Sequence, residues 1–267
     1  GFLSNCWSYD HPITIPNSIT NIGDYFLSYC NTFDSKITFP DTLTSIGNYF
    51  MIECGQFDSK LTFPNTLTSI GDGFLQDSNY NQAISLPNSV TYIGAAFLAG
   101  SAFDQDITLP SKITVINDDF LSGAPVFNKI ITIPEGVTEI KDGFLQYTGT
   151  FNTPITFPNS LKTIGSNFLY DTRAYNPPIN FNKVESIGDS FLYKNNVFNS
   201  KISFSSIKHI GQYFLYHCKG FNQDLTIPDT VESIDTNFLH GCDNYISTVD
   251  IGNLQATVFA IEEDDPD

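Results

Sequence analysis

A Phe-Leu pair returns every 23 or 24 residues along this chain, at Phe2, Phe26, Phe50, Phe74, Phe97, Phe120, Phe144, Phe168, Phe191, Phe214 and Phe238, with Met51 once replacing the Leu. Self-similarity at this period outweighs any local signal. One such unit has too little apolar surface to fold alone and must bury its face against the copies before and after it. The spacing predicts one elongated solenoid of about eleven coils over residues 1–245, with no linker dividing the 267 residues into globular domains.

Residues 26–47 show how one coil is built. Ile37 and Phe39 alternate with Thr38, the period of a strand with one buried and one solvated face. Pro40 ends that strand and Asp41-Thr42 supplies turn chemistry. Leu43 and Ile46 point back inward, and Gly47 is expected to permit the bend before Phe50. A second aromatic column runs from Tyr9 and Phe33 to Phe221 and Tyr245, so that the two columns take 18 of the 24 Phe. Each such ring contributes roughly 1.5–3 kcal/mol on burial, which makes the aromatics a spine and not a platform for stacking bases.

Three further columns have structural readings. Asp10, Asp34, Asp58, Asn81, Asp104, Asn128, Asn152, Asn176, Asn199 and Asn222 follow the second aromatic, and short Asx side chains satisfy backbone groups at corners. The alternative there is a cation column at Asp10, Asp34 and Asp58, where three like charges would stack about 5 Å apart. Cys6, Cys30, Cys54, Cys218 and Cys242 all lie four residues after the repeat Phe, where other coils carry Ser78, Ser101, Ala124, Thr148, Thr172 and Asn195. That substitution pattern describes a small packed position holding free thiols; Cys30–Cys54 or Cys218–Cys242 bonding is the alternative. The outward strand position carries Thr14, Thr38, Thr62, Ser85, Thr108, Thr132, Thr156, Asn180, Ser203 and Thr226, as an exposed strand prefers.

Residues 88–98, Asn-Ser-Val-Thr-Tyr-Ile-Gly-Ala-Ala-Phe-Leu, and 228–242 carry a pattern that resembles the BspA-like leucine-rich repeats of bacterial and protist surface proteins. That family usually has Ala-Phe where this chain has Phe-Leu. The resemblance implies a mainly β leucine-rich-repeat solenoid, with a parallel sheet of the Ile-Thr-Ile/Phe strands and short strands or helical turns on the other side. It also implies a cell-surface or extracellular setting and an adhesin-like recognition role.

Charge and motif content narrow the partners. A formal net charge of −17 argues against nucleic acid and anionic lipid. No stretch approaches the roughly 20 apolar residues of a membrane helix, so direct insertion is not expected. His11, His209, His217 and His240 are spread along the chain without metal spacing, no loop departs from the repeat, and no glycine-rich phosphate loop is present, so neither an enzyme nor a cofactor is expected.

One column changes character along the array. Two residues after the repeat Phe stand Tyr170, Tyr193, Tyr216 and His240, where earlier coils have Ser28, Gln76, Ala99 and Ser122, and Tyr213 and His217 lie close by. Tyr offers rigid contact area with a hydrogen-bonding tip, so this strip is the candidate surface for a protein or glycan partner. Packing beside the core is its bland counterpart, and a spacer that presents another domain is the alternative function. Residues 246–261 read as a degenerate last coil or cap and 262–267 as an acidic tail. The chain starts mid-repeat, which raises two expectations: a longer parent polypeptide, and end-to-end self-association at the N-terminus.

Overall fold

The computed structural model describes residues 1–232, 234 and 237–250. It is a parallel β-solenoid, and no helix occurs among the described residues. Each coil contributes up to two strands of two residues. One row contains Ile13–Thr14, Ile37–Thr38, Ile107–Thr108, Ile131–Thr132, Ile179–Asn180, Ile202–Ser203 and Leu225–Thr226. The other row, where short strands or helical turns were expected, consists of short strands: Asn21–Ile22, Ser45–Ile46, Ser69–Ile70, Tyr92–Ile93, Val115–Ile116, Glu139–Ile140, Thr163–Ile164, Ser186–Ile187 and His209–Ile210. Pairing is parallel and in register, Ile22 on Ile46 on Ile70 on Ile93 and, separately, Ile116 through Ile210. Like residues therefore stack on like residues.

The core follows from that register. Rings of the first Phe column lie 5.1–5.8 Å apart from Phe2 to Phe238 and nearly parallel, a spacing set by the coil rise. The second aromatic column stacks in the same way from Tyr9 to Tyr80 and from Phe103 to Tyr245. The outward Thr column is exposed throughout except for half-buried Ser203.

The arm carrying the Phe-Leu pair is neither strand nor helical turn. Residues immediately before, one after and three after the repeat Phe adopt positive φ, as at Tyr49 (56°), Met51 (55°) and Glu53 (53°), and this recurs in coil after coil. No Val, Ile, Thr or Pro occurs among these positive-φ residues, and Gly, Asn and Asp recur there, as left-handed backbone requires. Their N–H groups point alternately to the two neighbours: Tyr25 donates to Asn48 O and Tyr29 to Ile52 O one way, and Leu27 donates to Phe2 O the other.

This relocates the role expected of Gly47. The bend is made by the positive-φ residues that follow it, whereas Gly47 marks a close approach of two coils. A Cβ there would lie 2.6 Å from Asp24 Oδ1 and 2.8 Å from the Asp24 nitrogen. At the far end Val249–Asp250 pairs with Leu225–Thr226, so the last coil begins as a coil does. Otherwise the cap expected over 246–261 and the tail at 262–267 lie outside the described residues.

Candidate functional site

The rings that the sequence places two residues after the repeat Phe form one continuous stack. Tyr170 lies on Tyr193 at 4.7 Å between centroids and 6° between planes, Tyr193 on Tyr216 at 4.9 Å and 13°, and Tyr216 on His240 at 5.1 Å and 12°. These separations match the strand spacing of about 4.8 Å, so the pitch of the solenoid itself sets the stack. Tyr213 packs edge-on against Tyr193 and Tyr216 at 6.2 and 5.3 Å. His217 meets Tyr216 edge-on at 4.3 Å and His240 at 5.9 Å. The two histidines, 23 positions apart in sequence, are thus neighbours.

Tyr147 extends the ribbon at its other end, edge-on to Tyr170 at 5.3 Å. It stands three residues after Phe144, in a different column whose backbone is left-handed. Its exposure is 54%, while Tyr216 is down to 9% and belongs with the core; the remaining rings are half-buried. Stacked neighbours cover one another's faces, so open ring faces are not what the ribbon presents. Lys194 Nζ sits 5.6 Å from the Tyr193 centroid, and the Arg173–Asp171 and Lys219–Asp243 pairs flank the rings at 2.9 and 3.7 Å. Burial first, then His240, Lys219 and Lys194, hold the His217 pKa below the usual imidazole value. Burial, then Tyr147 and Asp171, raise that of Tyr170.

The Asx column is committed to the backbone. Asp10 Oδ1 accepts the Asp34 N–H at 2.9 Å, Asp34 Oδ1 the Asp58 N–H at 2.8 Å, Asp58 Oδ1 the Asn81 N–H at 2.7 Å, and the chain of bonds continues to Asn222. The Asp34 N–H, helped by Ser35, lowers the Asp10 pKa. Among the described residues no three His, Cys, Asp or Glu side chains converge as metal ligands, and in the Asp10, Asp34 and Asp58 column each Oδ1 accepts a backbone N–H.

All five cysteines are free thiols, four buried and Cys6 half-buried. Cys30, Cys54 and Cys218 Sγ each donate at 2.9 Å, and Cys242 Sγ at 3.1 Å, to the carbonyl of the Leu that follows the repeat Phe one coil earlier. Where Ser78 and Ser101 replace Cys, the hydroxyl instead donates within its own coil, to Leu75 O and Leu98 O. Burial pushes Cys54 and Cys242 up to about 12 and raises Cys30 and Cys218 as well. A thiol whose folded pKa exceeds its unfolded one, near 9, favours the fold fully below that value and loses its contribution as pH climbs toward about 12. Iodoacetamide at pH 8 is therefore expected to label Cys6 alone in the native protein and all five thiols after unfolding; native labelling of Cys218 would contradict its packing.

The BspA type Leucine rich repeat region matches this chain in six copies over residues 2–128 and 124–246. Among solved structures, a leucine-rich repeat protein from Bacteroides ovatus superposes with a TM-score of 0.74 at 22% identity, over 94% of this chain and 63% of that one. A leucine-rich repeat protein from Eubacterium ventriosum gives a TM-score of 0.45 at 18% identity, over 96% of this chain and 80% of the other. This chain thus spans less than two thirds of the Bacteroides protein, and their likeness is one of fold. No curated protein matches it. With the repeat matched along nearly its whole length, the chain belongs to the BspA type leucine-rich repeat family.

Proposed function

We propose that this chain is a non-catalytic recognition module of a secreted or cell-surface protein, and that it grips a protein partner along the ribbon from Tyr147 to His240. The observation that supports this is the run of four stacked rings on consecutive coils, Tyr170, Tyr193, Tyr216 and His240, in a column that elsewhere holds Ser28, Gln76, Ala99 and Ser122, joined from two flanking columns by Tyr147, Tyr213 and His217. The fold does not need rings there. Large Tyr side chains with few rotamers are the usual anchors of protein interfaces. A protein surface suits the ribbon better than a glycan, because sugar stacking needs open ring faces and these faces cover each other.

The test is binding to an array of extracellular proteins and glycans, with wild type beside a Tyr170→Ala, Tyr193→Ala, Tyr216→Ala variant. Ala99 occupies the same column, so the variant is expected to keep its circular dichroism spectrum. A protein ligand should lose at least about 30-fold in affinity, the counterpart of one hot-spot residue at about 2 kcal/mol. Undiminished binding by the folded variant would remove the ribbon from the interface, and a blank array for both would favour a spacer.

A further inference from the structure

Among the described residues, one layer lacks at once several of the contacts that repeat from coil to coil. The second strand row is continuous from Asn21–Ile22 to Tyr92–Ile93 and again from Val115–Ile116 to His209–Ile210, but Tyr92–Ile93 and Val115–Ile116 do not pair. At the layers on either side, Thr91 N–H donates to Thr68 O and Thr138 N–H to Thr114 O; Thr114 N–H makes no such bond to Thr91. The second aromatic column is interrupted at the same level, between Tyr80 and Phe103, although it stacks on both sides.

Two substitutions account for the gap. A side-chain oxygen two residues before the repeat Phe accepts the N–H of its counterpart one coil on: Asp24 for Asn48, Asn48 for Asp72, Asp72 for Ala95, Asp118 for Asp142. Ala95 has no such oxygen, so the ladder stops before Asp118. One position earlier in the repeat, Asn117 stands in the close-approach column, where a Cβ at Gly94 would already lie 2.5 Å from the Asp72 nitrogen. The Asn117 side-chain amide, at 2.6 Å, takes the Ile93 carbonyl that a backbone N–H takes elsewhere, as Gly94 takes that of Ile70 at 2.9 Å.

The molecule contains its own controls. Lys141 also replaces the glycine, yet its N–H keeps the Ile116 carbonyl at 2.9 Å, and there the Asp118 oxygen is in place. The coils between Phe168, Phe191 and Phe214 are shortened by one residue just as those between Phe74, Phe97 and Phe120 are, yet their strands stay paired. Neither a Cβ nor a short coil alone opens a layer; the unpaired layer is the one that has both Ala95 and Asn117. Contact persists along the Phe arm, with Phe97 on Phe120 at 5.5 Å and Leu121 N–H on Phe97 O at 3.0 Å, and at the Asx corner, with Asp104 N–H on Asn81 Oδ1 at 2.8 Å.

We propose that this layer is a hinge seam, at which the solenoid opens before the other described internal layers and which divides it into two units that flex separately. The aromatic ribbon lies wholly on the C-terminal side, so the seam lets that unit reorient as a body relative to the coils before it. The proposal stands whether or not the ribbon binds.

Native-state hydrogen exchange tests it on the unaltered chain. Amides of residues 114–118 are expected to exchange at least about 10-fold faster than those of 138–142 one coil on, since exchange follows local opening. An Ala95→Asp, Asn117→Gly variant restores the missing oxygen and removes the Cβ, and should bring the two segments to within about 3-fold of each other. Equal protection in wild type would overturn the seam. A wild-type difference that the double variant leaves untouched would overturn its assignment to these two residues.

Discussion

Phe144→Ala is expected to cost about 3–5 kcal/mol, measured as a shift of the denaturation midpoint. Phe144 is fully buried, its ring lies 5.8 Å from that of Phe120 and 5.1 Å from that of Phe168, and in-register stacking leaves no other side chain free to fill the space. The cavity would sit mid-column, where two coils lose their contact at once. In a linear array each coil touches only its neighbours, so the loss is expected to lower the interface terms on both sides and broaden the transition. The same change at Phe2, which is 59% exposed, should cost under about 1 kcal/mol. If both variants lost the same amount, the column would not be the source of stability.

Leu145→Ile carries the second large effect, and its cause is backbone. Leu145 sits at φ 55°, and a β-branched side chain in that region crowds the following carbonyl in a way that Leu does not. We expect a loss of about 3 kcal/mol, near the upper end of what local backbone strain costs. Leu161→Ile is the matched comparison: Leu161 is equally buried and has ordinary φ, so only repacking applies, at under about 1.5 kcal/mol. Equal losses at the two sites, read by urea titration, would mean that the alternating left-handed arm is not what constrains the repeat.

Much of the architecture was legible because period and burial are one-dimensional facts. The two aromatic columns, the packed Cys positions and the Asx ladder each follow from which residue types recur at one place in the coil, and the register preserves that order in space. The Phe-Leu arm was harder to read. Its signal is an exclusion, the missing β-branched residues before and three after the Phe, and an absence says nothing until the positive φ at Tyr49 and Glu53 explains it. Tyr147 is not legible within any single column, because the ribbon joins side chains from three columns. His217 and His240 look distant in sequence for the same reason that they meet in space, since 23 residues amount to one coil. Ala95 and Asn117 look like ordinary repeat variation until the bonds their columns carry are known.

The Asx ladder also bears on how such a chain grows. Each oxygen accepts from the same atom one coil later, so no rung depends on its position in the array. Excising residues 121–144 would join Phe120 to Leu145 and bring Asp104 Oδ1 to the Asn152 N–H, leaving every remaining rung with an equivalent partner. A gene built this way can be lengthened by tandem duplication or shortened by recombination between copies without a new core having to arise. Length then becomes a heritable variable almost independent of the fold, and a surface such as the ribbon can be moved nearer to or farther from either end by adding or removing whole turns.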